Sequence, residues 1–231
     1  MSTAAILSLL ITQPRKAFEE LAQRPRSWVP LLVMVLVAAG TSFWYFKVAD
    51  VGWLLDETLR TSPRSATMTE EQRAQAAKIM SPNVLMWVSV ITVIVLLPLM
   101  RALEAAYYLL AGKITNVQRS YRQWFALGVW SNVPTLLAAI PAALVLLTTT
   151  NGQLDSSAIQ PLSLNELFFH RTMGQPGYSL FTTLTLLHPL AWLLAMIGVQ
   201  EWSRRSWLFS AVFVLLPVVV IYGGWAWFAL R

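Results

Sequence analysis

The chain has 231 residues, of which 56% are hydrophobic and only 12% charged, and its formal net charge is +6. Soluble domains carry about a quarter charged residues, so this composition excludes an ordinary water-soluble enzyme. The absence of cysteine further excludes disulfides, thiol nucleophiles and cysteine metal sites.

Residues 1–26 are expected to form a cytoplasmic helix lying on the membrane surface. Ala4–Ile11 is apolar, but no basic region precedes it and no small-residue cleavage site follows, so it does not read as a cleavable signal peptide. Thr12 is placed to cap a helix entered through Pro14, and Arg15–Glu19 and Lys16–Glu20 are spaced i,i+4. Phe18 and Leu21 share one face, as an interfacial helix requires. Arg24-Pro25-Arg26 ends the segment with a basic pair beside the first apolar run.

Five apolar runs follow: Ser27–Phe46, Asn83–Leu110, Trp124–Leu147, Tyr178–Gln200 and Trp207–Leu230. A helix needs roughly 20 residues to cross a ~30 Å hydrocarbon core, so each run is read as a transmembrane span. The fold class is all-α, with a membrane domain of five helices over residues 27–231. Most of the eleven tryptophans sit near run ends, where an amphipathic ring rests at headgroup level. Trp192 falls deeper and is expected to pack against another helix.

The loop Lys47–Ser81 is long and polar, and its five basic and five acidic residues cancel. Val51, Leu54, Leu55 and Leu59 stand at helical spacing, continuing span one along the interface. Thr69–Gln72 reads as a capping box, opening a short helix through Lys78. The short loop Ala111–Gln123 carries only basic charges, Lys113, Arg119 and Arg122, and the last connection carries Arg204 and Arg205. With Arg15, Lys16, Arg24 and Arg26, these short segments place the N-terminus in the cytoplasm and the C-terminus outside. The same residues are the candidates for contact with anionic lipid headgroups or a protein partner. Because they flank apolar runs, nucleic acid is not an expected partner.

Arg101 and Glu104 are the charged residues well inside a run, and i,i+3 spacing lets them pair. An ionisable residue within a membrane is by default a functional candidate. Equally, Pro98 and the length of Asn83–Leu110 allow the pair to sit at the interface, with Arg101 snorkelling to phosphates. Tyr107-Tyr108 belong to the same helix end, as an aromatic belt or as contacts to Glu104.

Pro134 and Pro141 fall in span three and Pro189 in span four, each freeing a carbonyl one turn earlier. Ser131, Asn132 and Thr135 are placed to satisfy such carbonyls. The pairs Ala138/Ala142 and Ala139/Ala143 allow close helix packing, within one chain or between two copies.

His188 is the single histidine within a run, and His170 lies in the loop before span four. Two histidines without cysteine or an acidic cluster do not make a metal site. Ser179 with His188 lacks an activated-serine signature, so no catalytic residue, metal or cofactor is assigned.

Several segments, taken in order, resemble the bacterial branch of the Ypt-interacting protein (YIP) family. They begin with Ile11–Phe18 and Arg24–Pro30, a proline-led start before the first span. They continue through Tyr107–Lys113, Ser120–Gln123 and Ser131–Pro134, and end with Pro189–Gly198 and Ser203–Ser206. The resemblance implies five helices, a cytoplasmic N-terminus and residence in a bacterial inner membrane. The eukaryotic branch is associated with small GTPases and vesicle traffic, but the long cytoplasmic N-terminal region seen there is missing here, so GTPase binding is not expected. For the bacterial branch the resemblance implies an accessory role beside a membrane transporter or envelope machine. The expected function is therefore a non-enzymatic scaffold or accessory subunit. The alternative is a small solute or ion carrier or channel using Arg101, Glu104 and His188.

Overall fold

The computed structural model describes residues 1–61, 69, 71–72 and 81–231. Secondary structure among them is helical, apart from an isolated bridge between Ser163 and Thr185. In chain order the helices are α1 (Thr3–Thr12), α2 (Pro14–Gln23), α3 (Trp28–Val48), α4 (Val51–Thr61), α5 (Pro82–Ile114), α6 (Tyr121–Ser131) and α7 (Ala139–Thr148). They continue with α8 (Tyr178–Thr183), α9 (Leu187–Ser203) and α10 (Trp207–Ala229). A 3₁₀ stretch, Val133–Ala138, joins α6 to α7.

Among the described residues, four helical stretches are long and apolar enough to cross a bilayer: Trp28–Val48, Pro82–Ile114, Tyr121–Thr148 and Trp207–Ala229. Their outward surfaces are apolar. On α5 alone Val84, Trp87, Val88, Ile91, Val95, Leu99 and Leu103 are exposed. Such a surface is costly in water and suited to lipid. The chain is a multi-pass membrane protein of the all-α bundle class.

The expected fourth span, Tyr178–Gln200, is interrupted. The chain leaves the helix at Leu184–Leu186, where the Leu164 N–H donates to the Leu184 carbonyl at 2.7 Å and the Leu186 N–H to that of Leu162 at 3.0 Å. Loop backbone thus satisfies polar groups that an unbroken helix would have satisfied itself, a requirement for irregular backbone in lipid. Helix α9 then begins two residues before Pro189, which needs no N–H partner in a first turn.

The described chain divides into two compact units. The first comprises Met1–Leu36, Val95–Leu136 and Leu187–Gly223. Its core is built from the fully buried Phe18, Leu21, Trp124, Leu127, Trp130 and Val199, with Trp202 and Phe213 against them. Trp124 lies 5.4 Å from Trp202 and 5.5 Å from Phe213, between ring centroids. Rings read in the sequence as headgroup anchors are therefore core residues here. Trp28, Trp87 and Trp227 remain exposed. Trp192 meets Tyr222 of α10 at 6.4 Å, as its depth implied.

The N-terminal segment is two helices, not one. Thr12 closes α1, donating its hydroxyl to the Ser8 carbonyl at 2.8 Å, and Gln13 stands at the cap of α2 without a side-chain bond. The apolar face of α2, Ala17, Phe18 and Leu21, is buried in protein against α9 and α6.

The second unit comprises Val37–Ile94, Leu137–Leu186 and Gly224–Arg231. Tyr45 donates to the Leu154 carbonyl at 2.9 Å, and the Asp50 N–H to that of Gly152 at 2.7 Å. Gly152 adopts φ 68°, and a Cβ there would lie 2.7 Å from the Val48 carbonyl oxygen, so only glycine fits. Asn165, almost fully buried, brackets Arg171 with bonds of 3.0 Å to its N–H and carbonyl. Both halves of the Thr69–Gln72 capping box are formed, at 3.0 and 3.3 Å. The expected continuation of its helix through Lys78 lies outside the described residues.

Candidate functional site

The first unit carries two polar arrays. In the first, Arg101 Nη1 meets Glu104 Oε2 at 2.6 Å on α5, and Tyr108 donates to Glu104 Oε1 at 3.0 Å. Each partner of the ion pair keeps about a fifth to a quarter of its side-chain surface accessible. Spacings of three and four put all three groups on one helical face. Gly128 of α6 stands opposite. A Cβ there would come within 3.1 Å of the Glu104 carboxylate, so the absent side chain admits the carboxylate.

Asn132 closes the same helix end, its Nδ2 donating to the Gly128 carbonyl at 2.8 Å. Ser131 donates to the Leu127 carbonyl at 2.7 Å and Thr135 to that of Asn132 at 2.7 Å. These three side chains serve backbone carbonyls around Pro134, where the helix tightens into its 3₁₀ stretch.

His188 is half-buried at the start of α9, its ring 5.8 Å from Trp192 and 6.5 Å from Tyr222. Tyr222 in turn stands within electrostatic reach of Arg101 and Glu104. The three predicted ionisable residues thus belong to one neighbourhood, linked through a tyrosine that sequence reasoning did not single out. Tyr107 and Tyr108 are packed, Tyr108 being 2% exposed and Tyr107 donating to the Phe213 carbonyl at 2.8 Å.

The second array gathers basic residues around Glu201, a buried carboxylate at 8% exposure. Arg204 Nη2 meets Glu201 Oε1 at 2.7 Å. Arg15 of α2 approaches the other oxygen at 3.9 Å and donates to Gln200 Oε1 at 2.7 Å. Arg15 therefore reaches α9 rather than its i,i+4 neighbour Glu19. Sequence reading missed Glu201; the available signal was its i,i+3 spacing to Arg204.

The carbonyls of the N-terminal arm are held at regular intervals by other elements. Trp202 Nε1 donates to Phe18 at 2.8 Å, Gln123 Nε2 to Ala22 at 2.6 Å and Trp130 Nε1 to Arg26 at 2.6 Å. Ala22 lies in the last turn of α2, where carbonyls lack helical partners. Gln123 also completes a capping box with Ser120 at the start of α6.

Arg119 rests its guanidinium 5.7 Å from the Trp202 ring and donates to the Trp202 carbonyl at 3.2 Å. Arg205 donates to the Thr115 carbonyl at 2.6 Å, and Arg26 to that of Met1 at 3.3 Å. Lys16, Arg24, Lys113 and Arg122 are exposed.

Two clefts open beside these groups. One of about 480 Å³ is lined by Lys113, Asn116, Arg119 and Ser120, the other, of about 410 Å³, by Arg26, Trp28, Tyr121 and Arg122. Neither is lined by Arg101, Glu104 or His188. Among the described residues, His, Asp and Glu nowhere gather into a group of three able to hold a metal ion.

A family model described as the Yip1 domain matches residues 8–228, nearly the whole chain. No curated protein and no solved structure shows a significant match.

Proposed function

The chain belongs to the Yip1 family, and from that premise we propose that it is a non-enzymatic scaffold or accessory subunit of a membrane transport or envelope machine. The observation that carries this reading is how the polar groups are used. Arg101, Glu104, Tyr108 and Asn132 bond within the bundle, whereas Lys113, Arg119, Arg26 and Arg122 line open clefts. The short basic segments support a cytoplasmic N-terminus and an external C-terminus, and the resemblance to the bacterial branch supports residence in a bacterial inner membrane. Crosslinking and affinity purification from native membranes should recover a defined membrane-protein partner. Recovery of this chain alone at native expression would defeat the reading.

A carrier or channel is the second reading, favoured by the Tyr222 link between His188 and the Arg101–Glu104 pair. It requires solute- or pH-dependent flux in reconstituted vesicles, lost on Glu104→Gln. Absence of flux across a panel of ions and small solutes would remove it.

A further inference from the structure

We propose that the cleft between the end of α5 and the start of α6 binds the phosphate of an anionic glycerophospholipid headgroup. This rests on the reading that the basic segments of the first unit face a lipid or protein partner, and it names the partner chemistry. The cleft, at about 480 Å³, is of the size that takes a small ligand. Its polar lining is Lys113, Asn116, Gln118, Arg119, Ser120 and Gln123, and no lining residue is acidic.

The cleft is built by a tight return of the chain. After α5 the Val117 N–H bonds back to the Gly112 carbonyl at 2.8 Å, and Asn116 takes a left-handed φ of 57°. A Cβ on Gly112 would lie 2.8 Å from the Val117 carbonyl oxygen and 3.1 Å from the Trp124 ring, so the return depends on glycine. Arg119 is then braced on Trp202, which fixes its guanidinium without satisfying it. Its Nε is buried and has no hydrogen-bond partner, so it contributes charge rather than a donor to the cleft. A guanidinium lining the cleft suits a phosphate, and the exposed Lys113 supplies a second charge. Ser120 and Gln123 bond to each other in the capping box, so they form wall rather than donors.

A lipid is favoured over soluble phosphate by what borders the cleft. Leu109 lines it, and the exposed Leu110 and Ile114 carry the apolar outer face of α5 to its edge. An amphiphile seated by its phosphate would find apolar surface for its chains beside the same helix.

The test is calorimetric titration of the full-length chain in neutral detergent with dioctanoyl phosphatidylglycerol, dioctanoyl phosphatidylcholine or inorganic phosphate. Saturable one-to-one binding of phosphatidylglycerol is expected, tighter than either comparison. Lys113→Gln, at an exposed position, should weaken it by about tenfold, and Arg119→Gln likewise. Lys16→Gln, exposed but outside the cleft, should leave it unchanged. Absence of saturable binding, or an equal loss in Lys16→Gln, overturns the proposal. Inorganic phosphate binding as tightly as the lipid overturns the lipid assignment. If lipid binding fails while crosslinking still recovers a protein partner, this inference falls and the scaffold reading stands.

Discussion

The Tyr107 hydroxyl of α5 donates to the Phe213 carbonyl of α10 at 2.8 Å. Phe213 lies four residues before Pro217, and a proline cannot supply the N–H that would close that turn. The tyrosine therefore stands in for a missing backbone donor, and binds two helices where α10 is weakest. Tyr107→Phe should destabilise the chain in detergent by about 1 kcal/mol. In a Pro217→Ala background, where the backbone bond is restored, the same substitution should cost much less. Equal losses in both backgrounds, by thermal unfolding, would show that the hydroxyl does not compensate the proline.

Gly128 and Glu104 define a second such fit. Gly128→Ala puts a methyl 3.1 Å from the carboxylate oxygen and 3.3 Å from its carbon, on a buried helix face. The expected cost is about 1–3 kcal/mol, typical of overpacking. Combining it with Glu104→Ala should recover the steric part, because the displaced group is gone. A double-mutant cycle by thermal unfolding measures the coupling, and additive effects would place the strain elsewhere.

How much of this was legible beforehand depended on the kind of force involved. Apolar run length located α3, α5 and α10, because membrane crossing is written in composition. Spacing alone paired Arg101 with Glu104. The break at Leu184–Leu186 was hidden, since main-chain bonds to Leu162 and Leu164 help hold it, and partners some twenty residues away leave no local mark. Trp124, Trp130 and Trp202 were ambiguous for another reason. An indole at a headgroup and an indole donating to a distant carbonyl share the same place at a run end. Gly128 and Tyr222 matter only through what faces them, which no local pattern records.

At the surface of α4, Arg60 contacts both carboxylate oxygens of Glu57, at 2.8 and 3.0 Å. The guanidinium holds the Glu57 carboxyl below the usual carboxylate range. A carboxyl lowered in the folded state stabilises above its unfolded value, and that contribution is lost as pH falls through the folded value. Amide exchange in α4 should accordingly quicken between about pH 5 and about pH 3, after correction for intrinsic rates. Asp50 also carries a carboxylate at the start of the same helix, accepting from the Trp53 N–H at 3.1 Å. Glu57→Gln therefore serves as the control, and must reduce the change if the pair is responsible.

The N-terminal arm offers a choice between charge and burial as the force that holds it. Arg15 keeps 62% of its side chain exposed and sits 3.9 Å from Glu201, a geometry worth at most about 1 kcal/mol. Trp202 is 5% exposed, packs edge-on to Phe18 at 6.5 Å, and donates to the Phe18 carbonyl at 2.8 Å. Trp202→Phe removes the donor and part of the buried ring, at a cost of about 1–3 kcal/mol. Amide exchange across α2 should thus rise strongly in Trp202→Phe and only slightly in Arg15→Ala. Raising salt should loosen the arm no more than Arg15→Ala does, because the buried indole bond is little screened. If Arg15→Ala or salt releases α2 as fully as Trp202→Phe, the arm is an electrostatic latch. If the indole dominates, α2 is a built-in layer of the bundle, and partners must meet it through its exposed face of Lys16, Glu19 and Gln23.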